Sequence, residues 1–149
     1  MGVPIETIIV VEDTPHCAQW QMEAMHATFP DYEVIHVESL EEARQLFRDG
    51  AHHVAAVLTD NGYPGVPGGE RIGSKTPEGG AGTLLTKLIR RGKMGNEYRD
   101  VPIVWHTARL DEGKTSRVMA YLGHTRCFEK GEGMEAYLPM GKQLKRWIH

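Results

Sequence analysis

Cysteine is nearly absent from this 149-residue chain. Its two thiols, Cys17 and Cys127, are too few and too far apart for a disulfide framework or a zinc-ligand spacing, which points to a reducing compartment. A large excess of charge of one sign is missing as well. Seventeen Lys and Arg stand against 20 Asp and Glu, a formal net charge of −3, so no global basic field recruits nucleic acid. No apolar run approaches the ~18 residues of a membrane span. The N-terminal MGVPIETIIVVED has no basic leader and meets acids after a short apolar run, which argues against a secretory signal. What is left is a soluble, cytoplasmic chain that is 40% hydrophobic and 25% charged. A chain of this length buries roughly 70% of its unfolded surface without any covalent staple. The expectation is one domain over residues 1–149, with no stretch left after Trp147 for an effector domain.

Short apolar runs alternate with amphipathic stretches. Residues 7–11 (TIIVV) are β-branched and continuous, which suits a strand buried on both faces. A helix over 14–28 follows, carrying Trp20, Met22 and Met25 with Phe29 just beyond, and Pro30-Asp31 ends it. Residues 33–37 (EVIHV) read as a second strand. Ser39 with Glu42 three residues on makes a capping box for a helix striped by Leu40, Ala43, Leu46 and Phe47 and closed by Gly50. Residues 54–58 (VAAVL) form a third strand ending in Thr59-Asp60. The segment 61–80 is dense in Gly and Pro, and beyond it Leu84, Leu85, Leu88 and Ile89 stripe a helix over 81–91. A fourth strand (101–105, VPIVW), a helix near 114–122, a short fifth strand (126–128) and a last helix (134–147) complete the chain. The order is (βα)5, which predicts an α/β fold: a doubly wound parallel five-stranded sheet of flavodoxin-like type, whose ligand crevice lies beyond the carboxyl ends of the strands.

Those ends carry the chemistry. The first strand ends in Glu12-Asp13, the third in Asp60, the fourth in Thr107 and the fifth in Lys130. Two unit charges ~4 Å apart repel by about 4 kcal/mol at an effective dielectric of ~20. Three converging carboxylates therefore need a cation or raised pKa values. Mg2+ suits them, because it takes hard oxygen ligands and shares its sphere with phosphate.

The motifs IIVVED (8–13), LTDNGYPG (58–65), IVWHTA (103–108) and FEKG (128–131), each at the end of an expected strand, resemble those of the response-regulator receiver family over about residues 6–147. The resemblance implies a two-component or phosphorelay switch. Asp60 would accept a phosphoryl group from a histidine kinase or histidine phosphotransfer protein. Glu12, Asp13, Asp60 and the backbone carbonyl of Gly62 would hold Mg2+. Pro64-Gly65 matches the family's Pro-Gly, Thr107 and Ala108 its switch hydroxyl and the small residue after it, and Lys130 its phosphoryl-contacting lysine. Gly62 and Arg109 stand where the family tunes hydrolysis. The output would pass in trans to a downstream protein, through a face built from the fourth helix, fifth strand and fifth helix. Such a chain catalyses its own phosphorylation and dephosphorylation but is no metabolic enzyme, and it touches neither nucleic acid nor membrane directly.

This sequence departs from the family at Cys127, where an aromatic is usual, and at Gly131, where proline is usual. Two alternatives remain: a degenerate receiver that only binds proteins, and an aspartyl-phosphate phosphohydrolase. The latter's DxDx[TV] motif after the first strand is not matched by Glu12-Asp13-Thr14. The tract 61–80, with Glu70, Arg71, Lys75 and Glu78, is longer than structureless loops usually are. It reads either as a flap beside the phosphorylation site or as a tolerated surface insertion. Asn61-Gly62 alone is a hairpin signal, but the Gly/Pro tract offers no second strand. The pair His52-His53 reads as surface residues at a helix end rather than metal ligands, His106 as a hydrogen-bonded core residue, and Lys142–Arg146 as a solvated helix face. Gly73-Ser74-Lys75-Thr76 is only a faint echo of a P-loop.

Overall fold

A computed structural model describes residues 2–72, 79–107, 122 and 125–148. Its elements run β1 (Ile5–Val11), α1 (Pro15–Thr28), β2 (Glu33–Val37), α2 (Leu40–Arg48), β3 (His52–Asp60), β4 (Tyr63–Pro64), β5 (Arg71–Ile72), α3 (Ala81–Arg90), β6 (Ile103–Thr107), β7 (Thr125–Glu129) and α4 (Leu138–Ile148), the last entered through a 3-10 turn at Met134–Tyr137. Five strands form one parallel sheet in the order β2-β1-β3-β6-β7. The doubly wound flavodoxin-like fold expected from the sequence is therefore present. The helix expected near 114–122 lies outside the described residues except for Leu122, which is buried.

Burial explains why β1 is a continuous apolar run. Ile9 and Val11 pack on one face with Val57, Ile103 and Trp105 against Ala43 and Phe47 of α2 and Leu85 and Ile89 of α3. Ile8 and Val10 pack on the other with Leu58 and Val104 against Ala24 and Met25 of α1 and Met140 and Leu144 of α4. The period-2 alternation of a strand thus feeds two cores at once. The register of β1 against β3 slips between Thr7 and Ile8, which pair with Val54 and Ala56. The extra residue, Ala55, lets Val54 and Val57 serve the same core although three positions apart.

Element ends follow capping chemistry. Pro15 opens α1 at its first turn, where a missing N–H costs nothing. The Ser39 half of the capping box at α2 is formed: the Ser39 hydroxyl accepts from the Glu42 N–H (3.2 Å), and the Glu42 carboxylate reaches back to that hydroxyl (2.8 Å). Gly50 does not close that helix with a left-handed residue; Asp49, in extended conformation, is the C-cap.

Three expectations are corrected. His52 and His53 open β3 instead of ending a helix. There, His52 lies 3.6 Å from the Glu33 carboxylate and His53 lies 3.0 Å from that of Glu6. Pro102 falls just before β6, its carbonyl accepting from the Val57 N–H (2.9 Å). The Gly/Pro tract does supply a second strand. Tyr63 and Pro64 pair antiparallel with Ile72 and Arg71, because Tyr63 is fully buried and Ile72 packs on the same core. The Gly65 carbonyl accepts from the Glu41 N–H (2.9 Å), which ties this hairpin to the first turn of α2.

Candidate functional site

The carboxyl ends of β1 and β3 deliver the acids. Carboxylate oxygens of Glu12, Asp13 and Asp60 lie within 4.8 Å of one another. Glu12 is fully buried. One of its carboxylate oxygens takes Lys130 Nζ at 2.9 Å and the Gln21 amide at 2.9 Å, and the other accepts from the Thr14 N–H at 3.3 Å. The Glu12 carbonyl bonds His36 at 2.7 Å. Asp60 Oδ1 accepts from the Asn61 N–H (2.7 Å) and Oδ2 from Lys130 Nζ (3.0 Å). The Asn61 side chain in turn accepts from the Thr83 N–H (2.9 Å) and caps the start of α3. The acceptor turn is thereby stitched to a helix.

Lys130 reaches the acids without a proline after it. Its own N–H donates to the Thr107 carbonyl at 2.7 Å. Gly131 has a structural reason: a Cβ there would meet the Ala136 Cβ at 2.6 Å. Cys127 sits half-buried beside Trp105 in the β6–β7 ladder, and burial, with Asp60 nearby, pushes its thiol up to about 12. Thr107 closes β6, one residue past His106, which pairs in register with Asp60. Ala108 and Arg109 lie outside the described residues.

The electrostatics divide the two buried acids. Burial and the neighbouring Asp60 charge raise the Glu12 pKa against the pull of Lys130. For Asp60 burial also pushes upward, but neighbouring positive charge and the Asn61 N–H overcome it and hold the carboxyl below its ordinary value. Lys130 itself is raised: burial opposes its charge, but Asp60 and Glu12 outweigh burial. His106 is fully buried, its two ring nitrogens have no hydrogen-bond partner among the described residues, and burial pushes it down to about 3. It is a core residue, as expected, but not a hydrogen-bonded one.

Two residues were not assigned to the site from the sequence, Arg71 being noted there only as a charge of the 61–80 tract. Arg71, on β5, bonds the Gly62 carbonyl through Nε (3.0 Å) and Nη2 (2.9 Å). The same guanidinium lies 3.5 Å from Asp13 Oδ2 and 3.5 Å from Asp60 Oδ2. The other omission is Gln21, buried on α1 behind Glu12. Its signal was a polar residue on the helix stripe of Ala18, Ala24 and Met25.

The donor set fits a hard divalent cation. All the side-chain donors are carboxylate oxygens, the Gly62 carbonyl lies on the same rim, and Asp13 Oδ1 is a buried oxygen without a hydrogen-bond partner among the described residues.

A doubly wound sheet with acids at the ends of adjacent strands and a lysine opposite defines an α/β protein with its site at the strand carboxyl edge. Comparison with solved structures makes the fold specific: it is the receiver fold of response regulators. The phosphorylated cyanobacterial phytochrome response regulator RcpA superposes with a TM-score of 0.65 at 16% identity, over 95% of this chain and 92% of that one. The chemotaxis response regulator CheY4 of Vibrio cholerae gives 0.64 at 17% identity, over 96% and 98%. The Mn2+-bound form of response regulator Rcp1 gives 0.64 at 15%, over 98% and 96%. No protein-family model matches the chain, and no curated protein matches it in sequence. No helix among the described residues is long and apolar enough to cross a membrane.

Proposed function

We propose that this chain is a phosphoacceptor signalling domain, modified on Asp60 by a histidine kinase or a histidine phosphotransfer protein and read by a partner protein in trans. The observation that carries the reading is Asp60 itself. It is a buried carboxylate held ionised, with one oxygen fixed by the Asn61 N–H and the other facing Lys130. In the transfer, a carboxylate oxygen of Asp60 attacks phosphorus. The phosphorus–nitrogen bond of the donor phosphohistidine breaks, and its electron pair returns to the imidazole. Lys130 neutralises charge developing on the phosphoryl oxygens, and the Thr107 hydroxyl bonds one of them after transfer. A divalent cation, Mg2+ by the donor chemistry, would be held by Glu12, Asp13, Asp60 and the Gly62 carbonyl and would supply further charge neutralisation there. Ala108 and Arg109 tune the lifetime of the acyl phosphate. The output surface includes the edge strand β7 and helix α4, beside the Thr107–Lys130 side of the site. The chain turns over no metabolite.

A second reading, a protein-binding module that is not phosphorylated, is favoured by the Arg71 guanidinium already sitting among the acids. Incubation with Mg2+ and acetyl phosphate separates the two. The first reading expects one added phosphoryl group per chain, read by mass, and its loss in Asp60→Asn. An unmodified wild-type chain, with Mn2+ binding intact, leaves the binding-module reading.

A further inference from the structure

We infer that Arg71 is a tethered competitor for the divalent-cation position: its guanidinium occupies the cradle formed by Asp13, Asp60 and the Gly62 carbonyl, and a metal ion enters only as Arg71 leaves. The inference rests on the reading of that cradle as a cation site. Arg71 touches three of the four groups assigned to the ion. It donates twice to the Gly62 carbonyl, at 3.0 and 2.9 Å, and lies 3.5 Å from both Asp13 Oδ2 and Asp60 Oδ2. The fourth group, Glu12, faces Lys130 on the buried side, out of its way.

The hairpin makes this placement a built feature rather than a wandering side chain. Ile72 anchors β5 on the core beside the buried Tyr63, and the Gly65 carbonyl fixes the other strand to α2. Arg71 must therefore project next to Gly62. Its grip is also reversible. The Arg71 side chain is 55% exposed, and its two ion pairs are long, so solvent weakens them. A guanidinium with two bonds to a carbonyl and two loose carboxylate contacts takes the position of the hard cation with half its charge, so the ion can displace it.

Titration of Mn2+ followed by electron paramagnetic resonance, and of Mg2+ by calorimetry, tests the inference on wild type and on Arg71→Ala and Arg71→Gln. Loss of the competitor is expected to raise affinity about threefold to tenfold. Equal or weaker affinity in both folded variants overturns the inference while leaving the cation site standing. No metal binding in any of the three proteins removes the cation site and the inference together. Because removal of any nearby positive charge also raises affinity, a second readout is needed. In 15N-labelled wild type, the Arg71 Nε–H resonance is expected to be slowed in exchange by its bond to Gly62 and to shift with the same midpoint as metal binding. An Nε–H signal unchanged at metal saturation overturns the inference whatever the variants do.

Discussion

Acidification puts His106 under direct test. The ring is fully buried, 3.9 Å from the Glu12 carboxylate and on the strand next to Asp60, with Tyr137 5.8 Å away edge-on, and neither nitrogen has a hydrogen-bond partner among the described residues. Burial lowers its pKa from 6.5 to about 3; the Asp60 charge works against this and the Lys130 charge with it. In the unfolded chain the same imidazole titrates near its ordinary value. Below pH 6.5 the unfolded state thus binds a proton that the native state refuses, so ν_U exceeds ν_N and stability falls as pH falls. Each pH unit between the two pKa values costs about 1.4 kcal/mol. From neutral pH to pH 5 the loss from this one ring is therefore about 2 kcal/mol. Glu12, with a raised pKa, gains protons on folding and acts in the opposite direction, so the measurement compares wild type with His106→Leu rather than with zero. Urea unfolding at pH 7 and pH 5 is expected to show a fall in wild type about 2 kcal/mol larger than in the variant. Parallel losses in the two proteins would refute the claim that the ring is held neutral by burial.

Three further outcomes follow from the geometry. Gly82→Ala would place a Cβ 2.4 Å from the Asp60 carbonyl and 3.0 Å from Asn61 Cα; the acceptor turn must shift, costing about 1–3 kcal/mol in a urea melt and slowing modification by acetyl phosphate. Arg90→Lys removes the fork that reaches the carbonyls of Leu122 (2.7 Å), Arg99 (2.8 Å) and Val101 (2.8 Å); a loss of roughly 1–3 kcal/mol is expected by denaturant titration, because an ammonium lacks the planar fork that spans these carbonyls. Ser39→Ala removes the acceptor for the Glu42 N–H and is expected to lower stability by about 1 kcal/mol, measured by thermal unfolding.

The sheet was legible because its strands are buried on two faces. Residues 8–11 and 56–58 have no choice but continuous apolar character, and the helices between them carry stripes. Glu12, Asp13, Asp60, Thr107 and Lys130 were legible because each sits where such a run stops. The start of β2 fell where the sequence put it, but the starts of β1 and β3 were not legible. His52 and His53 look like surface residues in sequence, yet their backbones pair with Ile5 and Glu6, and neighbouring acids accommodate the side chains. The hairpin at 63–72 was missed for a different reason. With two residues per strand there is no alternation to detect, and its stability comes from tertiary burial of Tyr63 and Ile72. Those two large apolar residues, nine positions apart in a Gly/Pro tract, were the available signal, and the charged residue beside Ile72 was the one to follow.

Taken together, the two cations at the rim divide the work of neutralising three acids. Lys130 bridges Glu12 and Asp60 from the buried side, and its backbone is bonded to Thr107. Its backbone is held by the sheet, and its ammonium is held from the buried side by two carboxylates at 2.9 and 3.0 Å. Arg71 bridges Asp13 and Asp60 from the exposed side, carried by a hairpin outside the sheet. A site that had only the fixed cation would leave Asp13 without a cation whenever no metal was bound, since Lys130 and Arg71 meet Asp60 at the same oxygen, Oδ2, at a repulsive cost of a few kcal/mol per close pair of acids. A site with two fixed cations would be stable but closed to any incoming ion. One fixed and one exchangeable cation offsets two of the three acid charges at rest while leaving the solvent side open to exchange, the side from which, on the proposed function, a phosphodonor would approach Asp60.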